Sequence, residues 1–187
     1  MRFGRYGIGF LALSAVFAFR ARELSAQAQI ISLAAAAAST LTVTVMSGAS
    51  QTIAGVTDNA LNSFPSAVVI QTAWNVKPGQ TNTVNLVAYF TTPAQALVGG
   101  ATQIPSSRVL GRMLTGTPTT FTAITQNGIG GVGTAGGSLR LFAVNISGGN
   151  KSASRTDNLD LQLNLVGFPT LPAGSVTGVL NLRAVTQ

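Results

Sequence analysis

The 187-residue sequence contains no cysteine and no histidine. Each absence removes a class of chemistry. Without histidine there is no Ser-His-Asp or Cys-His catalysis, and without either residue there is no zinc or copper site built on those ligands. Without cysteine, disulfide-stapled scaffolds are excluded, although secreted domains are not obliged to carry disulfides. Acids are almost as scarce, with four Asp and Glu in the whole chain against eleven Lys and Arg. Charged residues make up 8% of the sequence. Solubility must therefore rest on Thr, Ser, Asn and Gln, and few charges remain to block edge-to-edge strand pairing.

The first residues read as an address rather than as fold. Arg2 and Arg5 precede an apolar run from Tyr6 to Phe19, and Ser25-Ala-Gln-Ala28 supplies small residues of the Ala-x-Ala type. That order is a secretory signal peptide, residues 1–28, cut after Ala28 or alternatively after Ala26. The apolar run falls short of the ~20 residues a membrane span requires. The expected location is extracellular or at the cell surface, with no membrane span after cleavage. Arg2, Arg5, Arg20, Arg22 and Glu23 leave with the signal, so seven basic and three acidic residues remain, a net charge of +4. The remaining basic residues are scattered rather than clustered, which argues against nucleic acid as a partner.

Past the signal, Gln29 to Ser39 reads as a flexible or short helical leader, in which Ile31, Leu33, Ala35 and Ala37 alternate. From Thr40 the pattern is of period two, and residues 40–187 read as one β-sandwich domain. Strands are expected at 40–46, 66–76, 83–90, 108–114, 119–125, 138–146, 159–165 and from Val176 to the C-terminus. Lys77-Pro-Gly-Gln80 is a type II turn signal and predicts a tight hairpin joining the second and third of these. Residues 91–105 read as loop or helical turn, and 147–157 as a polar loop. The strand at 138–146 is apolar on both faces, which predicts a central strand or an interface. Seven to eight strands with no sustained helical period predict an all-β, antiparallel β-sandwich of immunoglobulin-like or jelly-roll type. A small outer-membrane barrel would suit the strand count, but seven aromatics after the signal are too few for interfacial belts.

Chemistry-bearing residues are sparse. The acids after the signal are Asp58, Asp157 and Asp160. A glycosidase needs two facing carboxylates, and Asp157 and Asp160, three apart on an extended chain, point to opposite faces. Three acids are also too few for a full calcium shell. The stretch Gly128 to Gly137 lacks the Gly-Lys-Ser/Thr of a phosphate loop and reads as close chain approach or flexibility. No catalytic residue, metal site or cofactor is expected, and the chain does not read as an enzyme. Tyr89 lies on the outward parity of its strand, where it could stack on a sugar or sit in a subunit contact.

The C-terminal Pro172-Ala-Gly-Ser-Val-Thr-Gly-Val-Leu-Asn-Leu182 resembles the ending of bacterial secreted pilin-like and spore-coat-like β-sandwich proteins. Those commonly finish with a Pro-x-Gly-x-(Val/Tyr)-x-(Gly/Asp)-x-Leu-x-(Val/Leu) strand. The resemblance implies an extracellular structural or adhesive subunit of the fimbrial kind, with strand exchange between copies. The expected function is therefore a secreted structural or adhesive surface protein, a filament or matrix subunit assembling by β-strand pairing. Ile31, Leu33, Ala35 and Ala37 would be the donor face, and the expected partners are further copies or other surface proteins. The alternative is an extracellular carbohydrate-binding module that binds glycans through Tyr89.

Overall fold

The computed structural model describes residues 39–77, 83–172 and 174–187. The signal segment, the leader through Ala38 with its four alternating residues, and the Pro78-Gly79 turn lie outside the described residues. Among the described residues the regular elements are almost all antiparallel β-strands, with two short 3-10 turns. The strands are β1 (Thr40–Ser47), β2 (Leu61–Ser63), β3 (Val68–Asn75), β4 (Thr83–Tyr89), β5 (Leu97–Gly99) and β6 (Thr102–Ile104). They continue with β7 (Val109–Met113), β8 (Thr122–Ala123), β9 (Ser138–Asn145), β10 (Ser152–Asn164) and β11 (Asn181–Thr186). The larger sheet runs β1-β3-β10-β7-β8, with the short β2 pairing β10 beyond the end of β3. The smaller runs β11-β4-β9, and β5 and β6 form a separate small hairpin.

The two sheets are held face to face by the residues that alternation turns inward. The larger sheet contributes Val68, Ile70 and Trp74 from β3, Val109 and Met113 from β7, and Leu159, Leu161 and Leu163 from β10. The smaller contributes Val84, Leu86 and Ala88 from β4 and Leu139, Leu141 and Phe142 from β9. All belong to one hydrophobic core.

The fold class follows the sequence pattern, but five local readings do not. Strands β3 and β4 form no hairpin with each other. β3 is flanked by β1 and β10, β4 by β11 and β9, and the two lie in different sheets. Period-two alternation reveals that a strand has a buried face, not which sheet it joins. Strand β9 is not central, and its apolar residues do not serve two faces. The register slips between Leu86/Val87 on β4 and Phe142/Arg140 on β9, leaving Leu141 unopposed. This bulge reverses the parity, so Leu139, Leu141, Phe142, Val144 and Ile146 all pack on the same core. The expected polar loop at 147–157 is strand from Ser152 onward. There the inward positions carry Arg155 and Asp157 rather than leucine, which hides the alternation. Residues 91–105 contain the β5–β6 hairpin as well as a 3-10 turn at Pro93–Gln95. The closing strand is shorter than the pattern suggests, beginning at Asn181, with Thr177 making only an isolated bridge to Val98.

That bridge depends on glycine. A Cβ added at Gly178 would strike the Ala96 carbonyl oxygen, and one at Gly99 would strike that of Ser175. Both are backbone atoms and cannot swing aside. Gly178→Ala is expected to destabilise the protein by about 1–3 kcal/mol through this overpacking, read as a fall of several degrees in the thermal midpoint. Gly148→Ala, where nothing lies within 4 Å, is the matched control and should leave the midpoint unchanged.

Candidate functional site

Edges decide where such a sandwich is open. An edge strand presents a row of unpaired N–H and C=O groups that can template another strand. The β9 edge of the smaller sheet is covered. Gln126 and Ser138 exchange backbone bonds of 2.7 and 3.1 Å, the Thr117 N–H donates to the Leu141 carbonyl at 3.0 Å, and the Arg140 N–H donates to Oε1 of Gln126 at 2.8 Å. The covering segment also belongs to the larger sheet, because the Ile124 N–H donates to the Val109 carbonyl at 3.0 Å. This side of the sandwich is laced shut.

The opposite side is not. Among the described residues β1 pairs only with β3, and β11 pairs only with β4. The Val76 N–H donates to the Lys151 carbonyl at 2.8 Å, so even residues of β3 bond to β10 and odd residues to β1. Their partners on β1 are Thr40, Thr42 and Thr44. Leu41, Val43 and Val45 consequently direct both backbone groups to the free edge while their side chains point inward. On β11, Gln187 exchanges bonds of 2.8 and 2.9 Å with Thr83, which by the same alternation leaves the backbone groups of Leu182, Ala184 and Thr186 facing away from β4.

Between these two edges lies a cleft of about 790 Å³. Its walls are Leu41, Val43 and Val45 on one side and Leu180, Leu182 and Ala184 on the other, all half-buried. Its floor reaches Val68, Leu159 and Leu161 of the core. Ser39, the first described residue, is part of the lining. Val179, 73% exposed, stands at the rim. The edge strand β1 carries no charge and no proline along Thr-Leu-Thr-Val-Thr-Val-Met-Ser. On β11, Arg183 is exposed in mid-strand.

Of the other candidates, Tyr89 and the glycine-rich loop, through Gly130, Gly131 and Val132, also line this cleft, and the acids fall elsewhere. Tyr89 lies in β4 and is half-buried rather than freely exposed, with its backbone carbonyl accepting from Nδ2 of Asn181 at 3.4 Å. Asp157 and Asp160 do lie on opposite faces of β10. Asp160 pairs outward with Arg112 at 2.5 Å. Asp157 does not have the solvent-facing role its polar surroundings suggest. It is buried among the inward residues, chelated by Nε and Nη2 of Arg155 at 2.6 and 2.5 Å and accepting from the Thr115 hydroxyl at 2.7 Å. Asp58 accepts from the Leu171 N–H at 3.2 Å and fixes a loop. No group of three potential metal ligands occurs among the described residues. The glycine-rich loop folds against the smaller sheet, where a Cβ at Gly130 would meet Val185 at 2.8 Å and one at Gly137 would meet Pro93 at 2.5 Å. The feature that sequence reasoning missed is the acceptor edge itself. Its signal was present in the uncharged alternation of β1, but alternation does not tell an edge from an interior strand.

Comparison with protein-family models, with characterised proteins and with solved structures gives no match. Among the described residues no helix is long and apolar enough to cross a membrane.

Proposed function

We propose that this chain is a secreted structural or adhesive surface protein whose copies associate by pairing β-strands along the open side of the sandwich. One observation carries the reading. The two long edges that no described residue pairs, β1 and β11, flank the same apolar cleft, whereas the opposite side is closed by the chain's own backbone. Such an arrangement suits β-augmentation, in which main-chain bonds give affinity and alternate side chains enter the pocket. The leader, Gln29 to Ser39, is the donor segment in this reading, with Ile31, Leu33, Ala35 and Ala37 as its apolar face. The N-terminal signal pattern supports export, and the low charge suits a polymer or matrix. The resemblance of the C-terminal stretch to pilin-like and spore-coat-like proteins points the same way.

The carbohydrate-binding alternative has less support. It needs an exposed aromatic platform, and every aromatic ring among the described residues, Tyr89 included, is buried or half-buried.

Deletion of residues 29–39 from the mature chain is the test. Assembly, followed by analytical ultracentrifugation and electron microscopy of negatively stained material, should fall from filaments or large particles to species no larger than a dimer. Filaments or large particles that persist unchanged would remove the leader from the account. Mass spectrometry of the secreted chain should give Gln29, or else Gln27, as its first residue.

A further inference from the structure

We infer that the free edge of β1 pairs with the same edge of a second copy, antiparallel about a two-fold axis through Val43, joining the two larger sheets into one. The inference rests on the strand-pairing reading above only in using the open side, and it assigns a partner distinct from the leader.

Three observations carry it. First, the edge is long and unguarded. β1 is an eight-residue strand without charge or proline, the devices by which edges normally refuse a second strand. The other open edge, β11, carries Arg183 exposed at its middle. Second, the hydrogen-bonding phase is self-complementary. The free backbone groups belong to Leu41, Val43 and Val45, spaced evenly about Val43. A two-fold axis there makes Val43 of one copy exchange both bonds with Val43 of the other, and Leu41 with Val45. Third, side-chain chemistry matches in that register. The half-buried Leu41, Val43 and Val45 of both copies lie on one face, so the apolar mouths of the two clefts meet. Thr42 of one copy lies opposite Thr44 of the other on the outer face, a favourable cross-strand pair. Met46, 58% exposed, is placed opposite Thr40 and becomes covered.

The absence of native cysteine makes the test clean. Directly opposed residues of a hydrogen-bonded antiparallel pair stand about 5.5 Å apart at Cα, within the roughly 4.4–6.8 Å that a disulfide spans. Val43→Cys should therefore give a covalent dimer in nearly full yield under mild oxidation. Thr42→Cys should not, because in this register its counterpart is a diagonal neighbour about 7–8 Å away. The Val43→Cys dimer should also form in the chain lacking residues 29–39, which separates this inference from the leader's role. A second variant needs no cross-link. Val43→Pro removes an N–H that bonds to no other described residue, so a folded, monomeric protein is expected at concentrations where the parent chain sediments as a dimer. Val43→Cys protein that stays monomeric overturns the two-fold pairing. So does equal cross-linking of Thr42→Cys, or cross-linking that disappears with the leader.

Discussion

Arg155→Met is expected to destabilise the protein by about 3–5 kcal/mol, a large share of the roughly 5–15 kcal/mol that holds a domain folded. The side chain of Asp157 has no solvent exposure, and that of Arg155 is 26% exposed. Both carboxylate oxygens are taken up by the guanidinium, whose Nη2 also donates to the Thr115 carbonyl at 2.8 Å. The same guanidinium lies 4.4 Å from the centre of the Phe142 ring. It therefore ties β10 to the loop after β7 and to the smaller sheet. Methionine keeps part of the aliphatic stem but removes the guanidinium, and with it the charge, its hydrogen bonds and its contact with Phe142. What remains is a buried carboxylate with one hydroxyl partner, and the loss comes from that unpaired charge rather than from the bond itself. The double variant Arg155→Met/Asp157→Leu should recover most of the stability, since replacing both members of a buried pair with apolar groups is often close to neutral. Urea unfolding midpoints check this. A single variant as stable as the double would show that the pair is not what the site depends on.

Leu159→Ala should destabilise at the upper end of the range of about 2–5 kcal/mol for buried leucine. The reason lies on the neighbouring strand. β7 places Gly111 at an inward position, and a Cβ there would stand 2.9 Å from Cδ2 of Leu139 and 3.2 Å from Cδ1 of Leu159. Leucines from the two opposed sheets thus fill the space that glycine leaves. When Leu159 is cut back, Gly111 has no side chain with which to close the void. The two sites should couple, as residues sharing a cavity do. Gly111→Ala alone should destabilise, yet in the Leu159→Ala background it should restore part of the loss. Strictly additive effects in a double-mutant cycle would contradict this packing.

What could be read from the residues alone follows from what alternation encodes. Val68, Ile70 and Trp74 announce a strand with one buried face, and β1, β3, β4, β7 and the leucine half of β10 all lie where this pattern puts them. Alternation is silent on lateral neighbours, and for that reason Lys77-Pro-Gly-Gln80 was read as the turn of a hairpin between strands that in fact lie in opposite layers. It also fails wherever parity slips or an inward position is polar. The bulge at Leu141 made a single-faced strand look double-faced, and the Arg155–Asp157 pair made half of β10 look like a loop. The open side illustrates the same limit. The leader's alternation and the uncharged β1 were both legible, but that β1 and β11 end their sheets on the same side depends on the pairing of all the strands between them.

The central claim is that copies associate along the open side, and amide hydrogen exchange on β1 tests it most directly. Thr42 and Thr44 bond to β3 within one chain and should be protected at every concentration. Leu41, Val43 and Val45 direct their N–H groups to the free edge, so they should exchange rapidly in dilute, monomeric protein and become protected as the protein associates. Fast exchange at these three residues in fully associated material would contradict strand pairing at this edge.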